Sequence, residues 1–464
     1  MRRLKTWLVA AAVGGAAGAF AAGAFAAGAF AAGDPPVARG DRTRSAAPIS
    51  GQWRGADYSW HFGYELTLGQ RRNLDLDDTR DRDRRLRDQE ATAALALRWS
   101  PTLDAALELK AVSERRRRPG TLQVRDGLQR GEMWLRVGAP ADGLSLQAGR
   151  VPWVETRGWW WDDDLDGLRL HWQGSDGSAT LGLARELAAS DSADGGIAPE
   201  QRGVTRVFAQ AGRTLGGLHL DLFWLHQTDT SGQPAAGTSV SDDRQDSTDL
   251  DADWLGLRVG ANGRFGDGGH RLAMWADFAW LSGQAQVTGF DGAVAGATAS
   301  RRQRGHAVDL GLQWRSPWPG SPGLVLAWAR GSDGFRQTGL QENKQRWLGV
   351  KRFSRYGELL DPELANLQVL SIAAGLRPTR RSSVDLVWHR YALAQADQPL
   401  VDSRLSATPD GHHRDLGQAW DLLLAWREWE HASLTLTLSR FAPGPAFAPR
   451  DAARGVELGL DLAF

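Results

Sequence analysis

The chain has 464 residues with 55 basic and 55 acidic side chains, no cysteine and 22 tryptophans. Zero formal charge argues against a nucleic-acid binder, and the absence of cysteine excludes disulfides, thiolate metal sites and a cysteine nucleophile. Mean hydropathy is negative and no body segment approaches the ~18 apolar residues of a membrane helix, yet a membrane β-barrel, whose strands are only half apolar, stays open.

Residues 1–33 open on Arg2, Arg3 and Lys5, continue apolar from Trp7, and repeat the small-residue unit GAFAA to Ala32. A charged start, a short apolar stretch and small residues predict a secretory signal, with Ala29-Phe30-Ala31 among the possible cleavage sites. Its removal leaves 52 basic against 55 acidic groups. Residues 34–56 read as a flexible lead-in, and 57–464 as the folded body.

That body alternates with period two. Tyr58, Trp60, Phe62, Tyr64, Leu66 and Leu68 share one face, with His61, Gly63, Glu65 and Thr67 on the other. The pattern returns at Leu95/Leu97/Trp99, Leu103/Ala105/Leu107/Leu109, Leu218/Leu220/Leu222/Trp224, Leu272/Met274/Ala276/Phe278/Trp280 and Leu434/Leu436/Leu438. Such alternation predicts strands with one apolar face. Eighteen are counted, and their joins alternate short (100–102, 139–143, 174–177, 214–217, 265–269, 316–322, 378–382, 429–431) and long (71–88, 114–129, 152–165, 188–202, 229–249, 283–303, 332–366, 393–415, 442–453). Short turns at one end and long loops at the other predict an all-β fold, a transmembrane antiparallel β-barrel of about 18 strands, with short periplasmic turns and long extracellular loops. A further apolar stretch, Arg346–Val350, would break the alternation and is assigned to a loop. Trp99, Trp314, Trp328, Trp388 and Trp426 stand near the ends of apolar faces, as interfacial aromatic girdles require. Val456, Leu458, Leu460, Leu462 and Phe464 alternate to a final aromatic, which resembles the C-terminal signal read by barrel-assembly machinery.

By parity Arg98, Lys110, Arg130, Arg136, Arg169, Arg206, Arg258, Arg271, Arg315 and Arg427 face the lumen, with Glu65, Glu108, Glu132, Asp221, Asp253, Asp277, Asp309, Asp421 and Glu457. The two sets nearly cancel, so they fit either an anion path or cross-strand ladders that hold the wall. The segment 342–356 is different: Lys344, Arg346, Lys351, Arg352 and Arg355 face a single acid, Glu342. A carboxylate-bearing cargo needs such cations, because arginine pairs with carboxylate bidentately and keeps its charge.

Several blocks resemble the alginate export family of outer-membrane porins. They are Gly149-Arg150 with Glu155, Gly158, Trp161-Asp162 and Leu165-Asp166-Gly167-Leu168; Asp309–Trp314 followed by Ala329–Ser332, Gln337–Leu340 and Glu342-Asn343; and Arg355–Glu358 with Glu363–Gln368. The resemblance implies a monomeric eighteen-stranded channel, not an enzyme, whose Arg/Lys-lined pore passes an anionic polysaccharide, alginate or a similar polyuronate. It implies pore-lining roles for Lys344, Arg352 and Arg355, and for Asp162, which would hold a neighbour such as Arg157; Arg98, Arg130, Arg136 and Arg169 join them by parity. Arg150 matches the motif, although parity puts it on the apolar side. Outer-membrane lipid, lipopolysaccharide and periplasmic export-complex proteins are the expected partners, and a general or organic-anion porin is the alternative. Two departures bear on selectivity and gating: Pro152 stands where the family has a second arginine, and the turn Trp429–His431 is short.

No cofactor is expected. Asp242, Asp243, Asp246, Asp249 and Asp251 could supply oxygen ligands to Ca²⁺, without the glycine and terminal glutamate of an EF-hand. Residues 71–88, with seven arginines and six aspartates, read as a solvated outer loop or as a contact for lipopolysaccharide phosphate.

Overall fold

The computed structural model describes residues 49–464 apart from 81–82, 140–142, 242–243 and 267–268; the expected signal lies outside the described residues. Among the described residues twenty-one strands are formed, numbered β1 to β21 in chain order. Eighteen close on themselves as a barrel. These are β2 (Ala56–Arg72), β3 (Arg84–Ser100), β4 (Leu103–Arg118), β5 (Thr121–Ala139), β6 (Leu144–Val154), β7 (Asp162–Gln173), β8 (Gly177–Arg185), β9 (Val204–Leu215), β10 (Leu218–Asp229), β11 (Thr248–Phe265), β12 (His270–Asp291), β13 (Val294–Arg315), β14 (Gly323–Gly331), β17 (Leu367–Leu376), β18 (Ser382–Leu393), β19 (Asp415–Trp426), β20 (Ala432–Pro443) and β21 (Ala453–Ala463). Each pairs antiparallel with its successor, and β21 closes onto β2 from Gly63↔Ala463 to Arg72↔Arg454. Closure removes the unpaired sheet edge that lipid could not satisfy. The lead-in contributes β1 (Ile49–Trp53), which pairs with the foot of β2.

Alternation explains the wall. Leu107, Leu109, Leu135, Leu181, Leu222, Leu255, Leu324 and Leu326 are exposed on the outside, while the residues between them point inward and are mostly buried. Trp99, Trp172, Trp314 and Trp426 mark the short-turn end of this apolar belt; Trp280, Trp388 and Trp420 lie nearer the long-loop end. Two expected long loops are instead continued ladder. β4 and β5 pair to Arg118↔Thr121, and β12 and β13 to Asp291↔Val294, so 114–129 and 283–303 are hairpins that rise beyond the belt.

The lumen is not empty. Loop residues Trp159, Trp160, Trp161, Phe335, Leu340, Leu359, Leu364 and Phe447 are buried against the inward side chains Phe208, Phe223, Trp254, Leu281, Tyr391 and Phe441. Trp160 stacks on Phe223 at 5.0 Å and meets Trp159 edge-on at 5.2 Å, the geometry that ring quadrupoles favour. The inner wall at β2, β3, β4 and β21 stays more open: Glu65 is exposed, and Thr67, Arg71, Glu90, Lys110 and Glu457 are half-buried.

Candidate pore and its cationic mouth

The segment 332–366 folds back into the barrel instead of standing outside it. A two-rung hairpin forms between β15 (Lys344–Gln345) and β16 (Phe353–Ser354), and the tip between them descends to the short-turn end. There Arg315, the last residue of β13, donates to the Leu348 carbonyl at 2.5 Å. Arg377, just past β17, donates to Leu348 O at 2.7 Å and Gly349 O at 2.9 Å, and Ser383 Oγ accepts from Val350 N–H. Trp347, Leu348 and Phe353 pack on Val325, Ala327, Ala373, Val387 and Leu423. Glycine at 323 makes room: a Cβ there would lie 2.5 Å from Leu348 Cδ2.

Three arginines and three carboxylates anchor this loop and the neighbouring segment 155–161. Arg157 pairs with Asp277 and, at 3.1 Å, with Asp309. Arg258 joins Glu155 and Asp277, each at 2.5 Å, and Arg355 lies 3.6 Å from Asp309. Tyr356 Oη and Trp275 Nε1 donate to the same Asp309, and Trp159 Nε1 donates to Tyr356 Oη. Burial alone would raise Glu155, but the Arg258 guanidinium and the N–H groups of Arg157 and Trp160 bring its pKa to about 2. Arg157 is lowered to about 9, chiefly by burial and then by the charge of Arg355. With all six groups in ion pairs and little exposed to the lumen, this network fixes the shape of the loop.

The expected pore residues therefore separate. Lys344 is exposed, and Arg352 is half-exposed, holding Asp162 at 2.8 Å and Glu342 at 3.1 Å. Asp162 is thus held by Arg352, where the motif suggested Arg157. Arg355 is only 2% exposed, with its side chain inside the anchoring network. Arg98 and Arg136 share Asp104 on the lumen side of the short-turn end, and Arg169 lies over Trp153 while donating to the carbonyl of Pro152.

Arg130 faces the other way. The register runs Leu107↔Met133 and then Leu109↔Arg130, so β5 spends one residue more than β4 and its parity flips above the bulge. Arg130 shares the outward face of Leu109, where it grips Asp166 with both terminal nitrogens and the carbonyls of Ala188 and Ala189. Arg150 sits directly across from Asp166 on β7. Asp253 is also outward: it lies an odd number of residues from the inward Arg258 and bonds Trp224 and His226. The proposed calcium ligands do not converge. Asp242 and Asp243 are outside the described residues, Asp249 accepts from Ser231 and Gln233, and no group of three potential ligands forms among the described residues.

The strongest charge feature lies at the short-turn mouth. Arg264, Arg271 and Arg315 stand directly opposite one another on β11, β12 and β13, on the lumen side. Like charges in such cross-strand pairs repel. Arg377, Arg427 and the loop residue Arg346 come near; burial and then the charges of Arg427, Arg352 and Arg377 bring the pKa of Arg346 down to about 10. Among the described residues none of these six has a salt-bridge partner; Asp385, which acts on Arg315 and Arg377, lies beyond that distance. Parity marks Arg271 and Arg315 in the sequence. Arg264 carries the same signal and was missed, while Arg377, in a turn, has no parity to read.

Residues 121–460 match the family described as alginate export. The alginate production protein AlgE of Pseudomonas aeruginosa is 25% identical over 314 residues, 66% of this chain and 64% of that protein. AlgE of Pseudomonas syringae pv. tomato is 24% identical over 339 residues, 68% of each. The chain thus matches about two thirds of the length of these relatives. Among solved structures, Pseudomonas aeruginosa OccD3 (OpdP) superposes with a TM-score of 0.54 at 12% identity, covering 94% of this chain and 96% of that one, a likeness of fold.

Proposed function

This chain belongs to the alginate export family, and from that premise we propose that it is a channel of the Gram-negative outer membrane through which an anionic polysaccharide, alginate or a similar polyuronate, leaves the cell. Residues 1–33 are its secretion signal, and the outward Phe464 is its address for barrel assembly. The observation that carries the reading is the cluster Arg264, Arg271, Arg315, Arg346, Arg377 and Arg427 at the short-turn mouth, none with a salt-bridge partner among the described residues. A polymer with one carboxylate per sugar meets there a field that concentrates it at the periplasmic opening.

Beyond the mouth, cations alternate with acids: Arg352 with Asp162 and Glu342, Lys110 with Glu90 and Glu108, Arg71 with Glu457. A cationic entrance captures the chain, and a balanced path keeps it from sticking, as conduction requires. Lys344 and Arg352, exposed in the path, are the side chains that touch the polymer inside.

Planar-bilayer recording tests this. The pore should prefer anions, and oligo-uronate should block it more strongly from the short-turn side. Replacing Arg264, Arg271 and Arg346 with glutamine should weaken that block roughly ten-fold, each exposed cation supplying about 0.5 kcal/mol. A cation-preferring pore, or one indifferent to oligo-uronate, would sink the reading and leave a small-solute porin in its place.

A further inference from the structure

The hairpins that rise beyond the belt carry a second cationic surface, on the outside of the barrel. Parity on β3 runs Trp99, Leu97, Leu95, Ala93, Ala91 and Gln89 outward and continues to Arg87 and Arg85. On β4 it runs Leu103 to Ser113 and continues to Arg115 and Arg117. The ladder sets Arg87 directly opposite Arg115, and Arg85 opposite Arg117. Tyr64 Oη donating to Gln89 at 2.8 Å ties the outward face of β2 to the same surface.

All four guanidinium side chains are exposed, and none has a salt bridge among the described residues. Arg87 donates to the Gln89 amide oxygen at 3.3 Å. The inward face at the same height is different: Arg116 pairs with Glu114 at 3.1 Å, and Asp88 lies across from that glutamate. The nearest acids on the outward face are engaged elsewhere or set below the block: Asp83 pairs with Arg72 at 3.2 Å, and Asp126 stands across from Ser113, one rung pair below Arg115. Two like-charged pairs a few ångströms apart destabilise a sheet unless an anion comes between them.

The height of the block identifies that anion. Arg87 lies about twelve residues above Trp99, and Arg115 the same distance above Leu103. At ~3.3 Å per residue and a tilt near 40° this is roughly 30 Å, just past an apolar band of about 25 Å. We propose that Arg85, Arg87, Arg115 and Arg117 form a binding site for the phosphate groups of a phosphorylated glycolipid of the outer leaflet. Each cross-strand pair grips one phosphate, whose three oxygens suit two guanidinium forks. Exposed Val124 and Leu122, opposite Arg115 and Arg117 on β5, flank the site with apolar surface. The site depends on the outer-membrane location proposed above and not on the cargo.

Binding of a diphosphorylated lipid A glycolipid to the full protein in detergent, followed by native mass spectrometry, tests it alongside the same lipid after phosphatase treatment. The phosphorylated form should bind at least roughly ten-fold more tightly, and the difference should shrink in 0.5 M salt. Replacing the four arginines with glutamine should bring binding to the level of the dephosphorylated lipid, while conductance and block by oligo-uronate stay as in the wild type. Equal binding of the two lipids by the wild type overturns the site without any variant. So does unchanged lipid binding by the variant, or a variant that loses oligo-uronate binding instead. Failure of oligo-uronate to block the wild type would count against the export reading and leave this one standing.

Discussion

Arg352, in the loop that enters the lumen, reaches Asp162 at 2.8 Å, joining two segments 190 residues apart in sequence. With the arginine more than a third exposed, the pair contributes about 1 kcal/mol or less to holding the loop. Its larger effect is on permeation. Asp162→Asn removes a negative charge roughly 8 Å from a passing ion, worth about 0.5 kcal/mol in water. The anion gains and the cation loses that amount, so anion-over-cation permeability, read from reversal potentials, should rise roughly five-fold, with heat stability unchanged.

Asp309 should behave in the opposite way. It is buried and serves Arg157, Arg355, Tyr356 and Trp275 together. Asp309→Asn strands buried guanidinium charge, a defect that costs about 3–5 kcal/mol. Limited proteolysis should then cleave within 332–366, and single-channel current should become noisy. A silent Asp309→Asn would show that the hydrophobic contacts alone hold the loop.

The loop tip should set the size of the path. Replacing 346–352 with two glycines removes the ties of Leu348 and Gly349 to Arg315 and Arg377. Conductance should rise at least about two-fold, and uptake of bulky antibiotics by expressing cells should rise with it. Gly323→Val is the milder form, crowding Leu348 without shortening the chain.

Packing of the same loop should respond to pH through Glu363. Burial lifts its pKa from 4.5 to about 7, against the Gln337 N–H and the charge of Arg336. A carboxyl raised in the folded state binds its proton more tightly there, so the contribution to packing is complete below about pH 4.5 and is lost as pH rises through 7. Protease resistance of 332–366 should be higher at pH 5.5 than at pH 8, and Glu363→Gln should abolish the difference.

Much of this architecture is written in local pattern. Strand alternation such as Leu103 to Leu109, and the order of short and long joins, carry the barrel, because a wall between lipid and water must change polarity at every residue. Lumen assignments by parity hold where the ladder is regular, as for Arg271 and Arg315, and fail at Arg130, where one extra residue in β5 reverses the face. Such a bulge leaves no mark on hydrophobic period. Nor does the pattern reveal that 332–366 turns inward: Trp347 and Leu348 read as apolar loop residues, and only their contacts with β14, β17, β18 and β19 say where they go. The basic run 342–356 is visible as composition, but its division into exposed Lys344 and Arg352 and buried Arg355 is a matter of three-dimensional packing.

At the closure of the barrel, Phe464 exchanges both backbone hydrogen bonds with Phe62, and β1 resumes the same edge of β2 opposite Trp60, two residues further on. Phe464 and Ile49, the first residue of β1, thus lie in line along β2 with only His61 between their partners. A peptide fused after Phe464 would run into β1 and compete for its partner. Purification tags and fluorescent reporters therefore belong away from this seam.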